Sequence, residues 1–197
     1  MKKSMVLGAV LVSVLLMVSG DAFAGGAIKL GFDSGGSLDA TASGGGTSRT
    51  YDVNTGASFA LEGFGSIGNN LDLGGGIEFQ SARGLDDYSS RGKFKFVPLY
   101  LMMRLHPEPS DITPYVTLQL GFSILSGDDA FTRSTTGTKL TAMPGGHLGI
   151  GVGYILEKHF LLEVLATLDT GGLTDSAGDP VVDFSYSKIT FSIGYNF

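Results

Sequence analysis

The sequence has no cysteine, which excludes disulfides and thiolate metal sites and leaves packing and hydrogen bonds to hold the fold. Histidine is scarce as well. His106, His147 and His159 are the only three, and none stands at metal-ligand spacing from a second ligand, so neither a metal nor any other cofactor is expected. Charged residues make up only 16% of the chain, with 13 Lys and Arg against 19 Asp and Glu. An acidic balance disfavours nucleic acid, whose phosphates need a basic face. No apolar run reaches the about 20 residues of a spanning helix.

What is present begins with a secretory leader. Lys2 and Lys3 open the chain, Met5 to Val18 is apolar apart from Gly8 and Ser13, and Ala22-Phe23-Ala24 places small residues where a signal peptidase reads. This predicts two parts, a cleavable signal peptide at 1–24 and a single domain at 25–197. Cleavage would remove Lys2, Lys3 and Asp21, leaving 11 basic and 18 acidic residues. The absence of cysteine at the cleavage point also excludes a lipid-anchored precursor.

After the leader no helical stripe persists, and apolar and polar residues alternate with period two, which predicts an all-β chain. Ile189, Phe191, Ile193, Tyr195 and Phe197 share one face; Lys188, Thr190, Ser192, Gly194 and Asn196 share the other. Seven further segments read the same way, around Ile28–Asp33, Ser58–Ser66, Leu71–Gln80, Val97–Arg104, Tyr115–Phe122, His147–Tyr154 and Phe160–Asp169. Short connections at Gly68–Asn70, His106–Ile112 and Glu157–His159 alternate with long polar ones near Ser34–Thr50, Ser81–Gly92, Ser126–Lys139 and Thr170–Val182. Short turns at one end, long loops at the other and an even strand count describe an eight-stranded antiparallel up-and-down transmembrane β-barrel. Both termini then fall on the short-turn, periplasmic side. A soluble sandwich or lipocalin-like barrel shows the same period with its apolar face inward. Against it stand the charges Lys29, Glu62, Glu78, Arg104, Glu163 and Lys188 at strand centres, in a chain otherwise poor in charge.

The chain ends on an aromatic preceded by alternating apolar residues, Ile193-Gly194-Tyr195-Asn196-Phe197. Together with Phe96-Val97-Pro98-Leu99-Tyr100-Leu101, Thr113-Pro114-Tyr115-Val116 and Leu120-Gly121-Phe122, it resembles the small outer-membrane β-barrel family that includes the OmpA, OmpX and OmpW types. The resemblance spans nearly the whole mature chain on short motifs. It implies the bacterial outer membrane, a monomer among lipid and lipopolysaccharide, insertion by the barrel assembly machinery, and an assembly signal at Tyr195 and Phe197.

An eight-stranded barrel is just wide enough inside for its own side chains. Lys29, Glu62, Asp72, Glu78, Arg104, Glu163 and Lys188 are therefore expected to meet as a paired network in the lumen, with Arg104 as hub, near Asp72 and within reach of Glu163 or Glu62. Pro98, lacking an N–H, is expected to mark a bulge. Phe32, Tyr100, Tyr115, Phe160, Tyr195 and Phe197 are candidates for interfacial belts, with Tyr100 and Tyr115 on the inward face and so able to cap the lumen instead. Gly63-Phe64-Gly65-Ser66-Ile67-Gly68 matches a dinucleotide fingerprint but runs into a turn and not a helix, so no nucleotide is expected. No catalytic residues are identified. The expected role is non-enzymatic: structural, adhesive or surface-interacting through the loops. A narrow conduit for small solutes, hydrophobic ones included, is the alternative, and a lipid-modifying enzyme built on His147 the third.

Overall fold

The computed structural model describes residues 25–43, 46–86, 92–133 and 137–197. The leader at 1–24 lies outside them. The described chain forms β1 (Gly25–Asp33), β2 (Gly36–Ala42), β3 (Ser48–Val53), β4 (Gly56–Ile67), β5 (Leu71–Gln80), β6 (Phe94–Leu105), β7 (Ile112–Gly127), β8 (Thr141–Leu156), β9 (Phe160–Thr174) and β10 (Pro180–Asn196). Eight of these close a ring in the order β1-β4-β5-β6-β7-β8-β9-β10, with β10 pairing back onto β1. Every pairing is antiparallel. The ring strands are those the alternation predicts, and both described termini lie at the end carrying the short turns.

Alternation sets which side chains face out. On β7, Tyr115, Thr117 and Gln119 are buried, while Val116, Leu118, Leu120 and Phe122 are exposed. Repeated around the ring, this gives an outer belt including Leu30, Leu101, Ile150, Leu162 and Ile193, each exposed. An apolar exterior of this extent on a closed ring suits hydrocarbon and not water. No helix among the described residues is long and apolar enough to cross a membrane, which says nothing about strands.

The segment expected as a loop at Ser34–Thr50 is instead a hairpin, β2–β3, and strand length explains it. A tilted strand crosses a membrane in about 9–11 residues. β1 and β5 have 9 and 10, whereas β7, β8, β9 and β10 have 16, 16, 15 and 17. The long strands overshoot at the loop end, and their edges need partners there. β10 accordingly pairs with β1 over Thr190–Asn196 and with β2 over Val182–Ser187. The chain steps from one to the other at Gly35 and Gly36, whose φ values are 86° and 145°. A Cβ at Gly36 would run into the Ser187 carbonyl. Bridges Val53↔Leu85 and Arg83↔Phe94 then carry the wall from β3 to β6, so part of the expected Ser81–Gly92 loop is also wall.

Pro98 marks no bulge. Its pairing with Ser123 on β7 is in register, but the β5–β6 ladder stops at Ile77↔Leu99, one residue before it. Proline has no N–H to extend a ladder, so it ends that pairing and does not kink it. The register irregularities lie elsewhere, between Pro144 and His147 and between Pro180 and Val182.

Along β10 the polarity of the two faces reverses. Toward the turn end, Lys188, Thr190 and Ser192 are buried inside while Ile189, Phe191 and Ile193 are exposed outside. Toward the loop end, Phe184 and Tyr186 are inside and Asp183 and Ser187 outside. One strand with unbroken period two thus lines a polar lumen under an apolar exterior, then an apolar core under a polar exterior.

Candidate functional site in the barrel lumen

Strands β1, β4, β6 and β9 bring the first ion cluster together at the turn end. Lys29 Nζ lies 2.6 Å from Glu62 Oε1 and 2.7 Å from Glu163 Oε1. Arg104 Nη2 is 3.2 Å from Glu62 Oε2, and its Nη1 is 3.9 Å from Asp72 Oδ2. The Tyr100 hydroxyl donates to Glu62 at 3.0 Å and the Tyr115 hydroxyl to Glu163 at 3.1 Å. The Arg104 guanidinium also sits 4.8 Å from the ring centroids of both Phe64 and Tyr115. Asp72, taking a bond from Ser66 at 2.6 Å and lying 3.4 Å from His106 Nε2, finishes this end. Glu62 thus joins Lys29 and Arg104, while Glu163 belongs to Lys29.

Glu78 and Lys188 form a separate group higher up. Lys188 Nζ lies 2.5 Å from Glu78 Oε1 and 3.0 Å from Asp33 Oδ1. Arg83 pairs with the other Asp33 oxygen and donates to the Tyr186 hydroxyl at 2.8 Å; Thr190 donates to Asp33 as well. Two cations facing two carboxylates leave this cluster formally neutral, which offsets the desolvation of each ion.

His147 belongs to a third buried polar group. Its Nδ1 is 2.8 Å from Asp169 Oδ1 and its Nε2 is 3.1 Å from Gln119 Oε1, and Gln80 donates to Asp169 at 3.4 Å. Both ring nitrogens are engaged, neither by a serine, and the side chains of His147 and Asp169 are 0% exposed. Access and a nucleophile, which hydrolysis needs, are both missing from this arrangement. His106 and His159 lie at turns, and Gly63–Gly68 runs off the end of β4 into one.

The lumen is full. A void of about 10 Å³ touches Lys29 and Glu163 on one side and Glu78 and Thr190 on the other, room for about one water molecule. Several glycines exist to admit a neighbour's side chain. A Cβ on Gly76 would lie 2.8 Å from the Tyr100 ring, one on Gly153 2.5 Å from the Tyr115 ring, and one on Gly194 2.8 Å from Lys29 Cγ. At the loop end the interior is closed by Leu38, Val53, Leu85, Phe94, Phe96, Leu125, Leu173, Phe184 and Tyr186, all buried. Phe96 stacks on Tyr186 at 5.9 Å and Phe94 on Phe131 at 5.2 Å. Above them Asp128 caps the loop, and the Phe131 amide, followed by that of Lys93, holds its carboxyl below the usual range.

Sequence reasoning missed Asp33, Arg83 and the apolar core. Asp33 shares the parity of Lys29, which was a usable signal, but Arg83 follows the end of β5 and nothing local aims it inward. Val182, Phe184 and Tyr186 share the parity of Lys188, so the core was also foreshadowed. Tyr100 and Tyr115 belong to the lumen and not to a belt. Tyr195 lies outside, stacked on His159 at 5.3 Å and edge-on to Phe160 at 5.7 Å. Phe197 exchanges backbone bonds with Gly26 at 2.9 and 3.0 Å, and its ring covers that glycine.

No protein-family model matches the chain, and no curated protein matches it. Solved structures do. OprG from Pseudomonas aeruginosa is 15% identical, covering 89% of this chain and 97% of its own, with a TM-score of 0.51. Ail, the attachment invasion locus protein of Yersinia pestis, is 16% identical over 88% and 98%, with a TM-score of 0.50. The outer membrane protein AlkL, solved in lipid bilayers, is 17% identical over 91% and 92%, with a TM-score of 0.51. At such identities the likeness speaks for architecture, and on that ground, joined to the closed ring and its apolar belt, the chain has the fold of the small outer-membrane β-barrels.

Proposed function

We propose that the protein is a sealed outer-membrane barrel without enzymatic activity, serving as a membrane seat for a rigid surface platform that makes contacts outside the cell. The observation that carries this reading is the lumen: two paired ion clusters, a void of about 10 Å³ between them and an apolar core above occupy the interior where a solute path would run. Among the described residues the loop end is built largely as wall and core, which suits recognition by a fixed surface. In this reading the termini face the periplasm, the leader at 1–24 directs export, and Tyr195 and Phe197 serve assembly. The rival is a conduit. Purified protein in a planar bilayer is expected to show no steady conductance, and to shift in mobility on a detergent gel only after boiling. Large, stable ion-conducting steps would overturn the sealed reading.

A further inference from the structure

Above the apolar belt, a groove of about 360 Å³ runs across the outer face of β8, β9, β10 and β2. Its volume is that of a small binding site. Its floor is low because side chains are small or missing: Gly145 and Gly172 face it, and a Cβ on Gly172 would already lie 3.3 Å from Met143 Cε and 3.2 Å from Asp183 Oδ1. Met143 and Pro144 give it an apolar wall, and the irregular register after Pro144 opens the sheet there. β-Bulges recur where a strand must re-aim side chains at a site.

The opposite wall carries Asp39 and Asp183. Asp39 is paired across the ladder with Ser185 and Asp183 with Thr41, which makes the two carboxylates diagonal neighbours on one face. Thr50 donates to one oxygen of Asp39 at 2.5 Å and Ser43 to one of Asp183 at 3.3 Å. Neither has an ion-pair partner among the described residues, whereas the buried Asp33 and Asp72 do. No Lys or Arg lines the groove. Two unneutralised carboxylates opposite an apolar wall complement a cationic head on an apolar stem, which is the form of an arginine or lysine side chain.

We infer that this groove docks a basic peptide segment of a partner protein, an Arg or Lys stem lying on Met143 and Pro144 with its charged head between Asp39 and Asp183. The assignment rests on the surface-platform reading above and names the chemistry of its partner. Guanidinium is favoured over ammonium, because its planar fork can meet two carboxylates at once.

The test uses the mature protein in lipid nanodiscs and a fluorescein-labelled hexa-arginine peptide, read by anisotropy, with labelled hexaglutamate as control. Saturable binding is expected for hexa-arginine alone. The Asp39→Asn/Asp183→Asn double variant should weaken it at least tenfold and flatten its salt dependence. Ser185→Phe, which fills the groove and leaves both charges in place, should weaken it to a similar degree. Both variants change exposed or half-exposed positions, and their heat-dependent gel shift confirms folding. Equal binding by wild type and Ser185→Phe would show attraction to net acidity and no site, overturning the inference. So would absence of hexa-arginine binding with calcium bound at the same carboxylates, which would assign a divalent-cation site. Conductance is measured separately: a conducting barrel that binds the peptide removes the sealed lumen and leaves the groove, and a silent barrel that does not bind it removes the groove alone.

Discussion

Arg104 shows why a barrel of this width fills itself with charge. Its guanidinium is buried, meets Glu62 and is held between the rings of Phe64 and Tyr115. Removing one partner of a buried pair costs about 3–5 kcal/mol, because the other is left uncompensated. Arg104→Ala is therefore expected to lower the denaturant midpoint well below that of wild type. Leu101→Ala should cost less, since Leu101 is 73% exposed on the outer face and lipid can occupy the space. Equal midpoints for the two variants would show that the cluster contributes little. Gly153 makes the complementary point about space. An alanine there meets the Tyr115 ring and the Leu162 carbonyl, so Gly153→Ala should destabilise by about 1–3 kcal/mol, as overpacking does. Urea titration with tyrosine fluorescence measures it. The seven sequence-predicted lumen residues were readable one by one, because on a strand parity decides the face. Which of them touch was not readable, because Lys29 meets Glu163 across 134 residues of chain.

At the level of the strand, the reversal of polarity along β10 marks where hydrocarbon gives way to water. Below Ser187 the outer residues are Ile189, Phe191 and Ile193; above it they are Ser185 and Asp183. The β2–β3 hairpin follows from that boundary, because beyond it β10 needs an edge partner and an apolar interior needs cover. Leu38 and Val53 supply part of the cover. Replacing residues 36–53 with a Gly/Ser linker is expected to leave the membrane ring closed and the heat-dependent gel shift intact. The loop-end core would lose a wall, so limited proteolysis should cut within 174–186, where the wild type resists. Loss of the gel shift would show that the hairpin is needed for the ring itself. The hairpin was hidden in the sequence because Ser34–Thr50 is rich in Gly, Ser and Thr, and its short strands lack a bulky apolar row. Pro98 is ambiguous for a related reason: proline announces a missing donor, but not whether its own strand kinks or the neighbouring ladder ends there, as the β5–β6 ladder does at Ile77↔Leu99 although β5 runs on to Gln80.

For the whole molecule, the decisive contact is the seam between β1 and β10, which turns a sheet with two edges into a ring with none. Gly26 and Phe197 complete it with a pair of backbone bonds and a ring laid on a glycine. Deleting Phe197 is expected to reduce the amount of folded barrel in the outer-membrane fraction, measured by the gel shift after fractionation; an unchanged amount would separate the seam from assembly. The sequence by itself determined the all-β class, the eight ring strands and the face on which the side chains of those strands lie, because period two is a local property that each residue of a strand reports. Only the tertiary structure decided that the lumen charges divide into two clusters, that Arg83 and an apolar core close the interior, and that Gly172, Met143, Asp39 and Asp183 share one groove. Those facts depend on how far each strand rises and which strands become neighbours on closure, and no single stretch of chain carries that information.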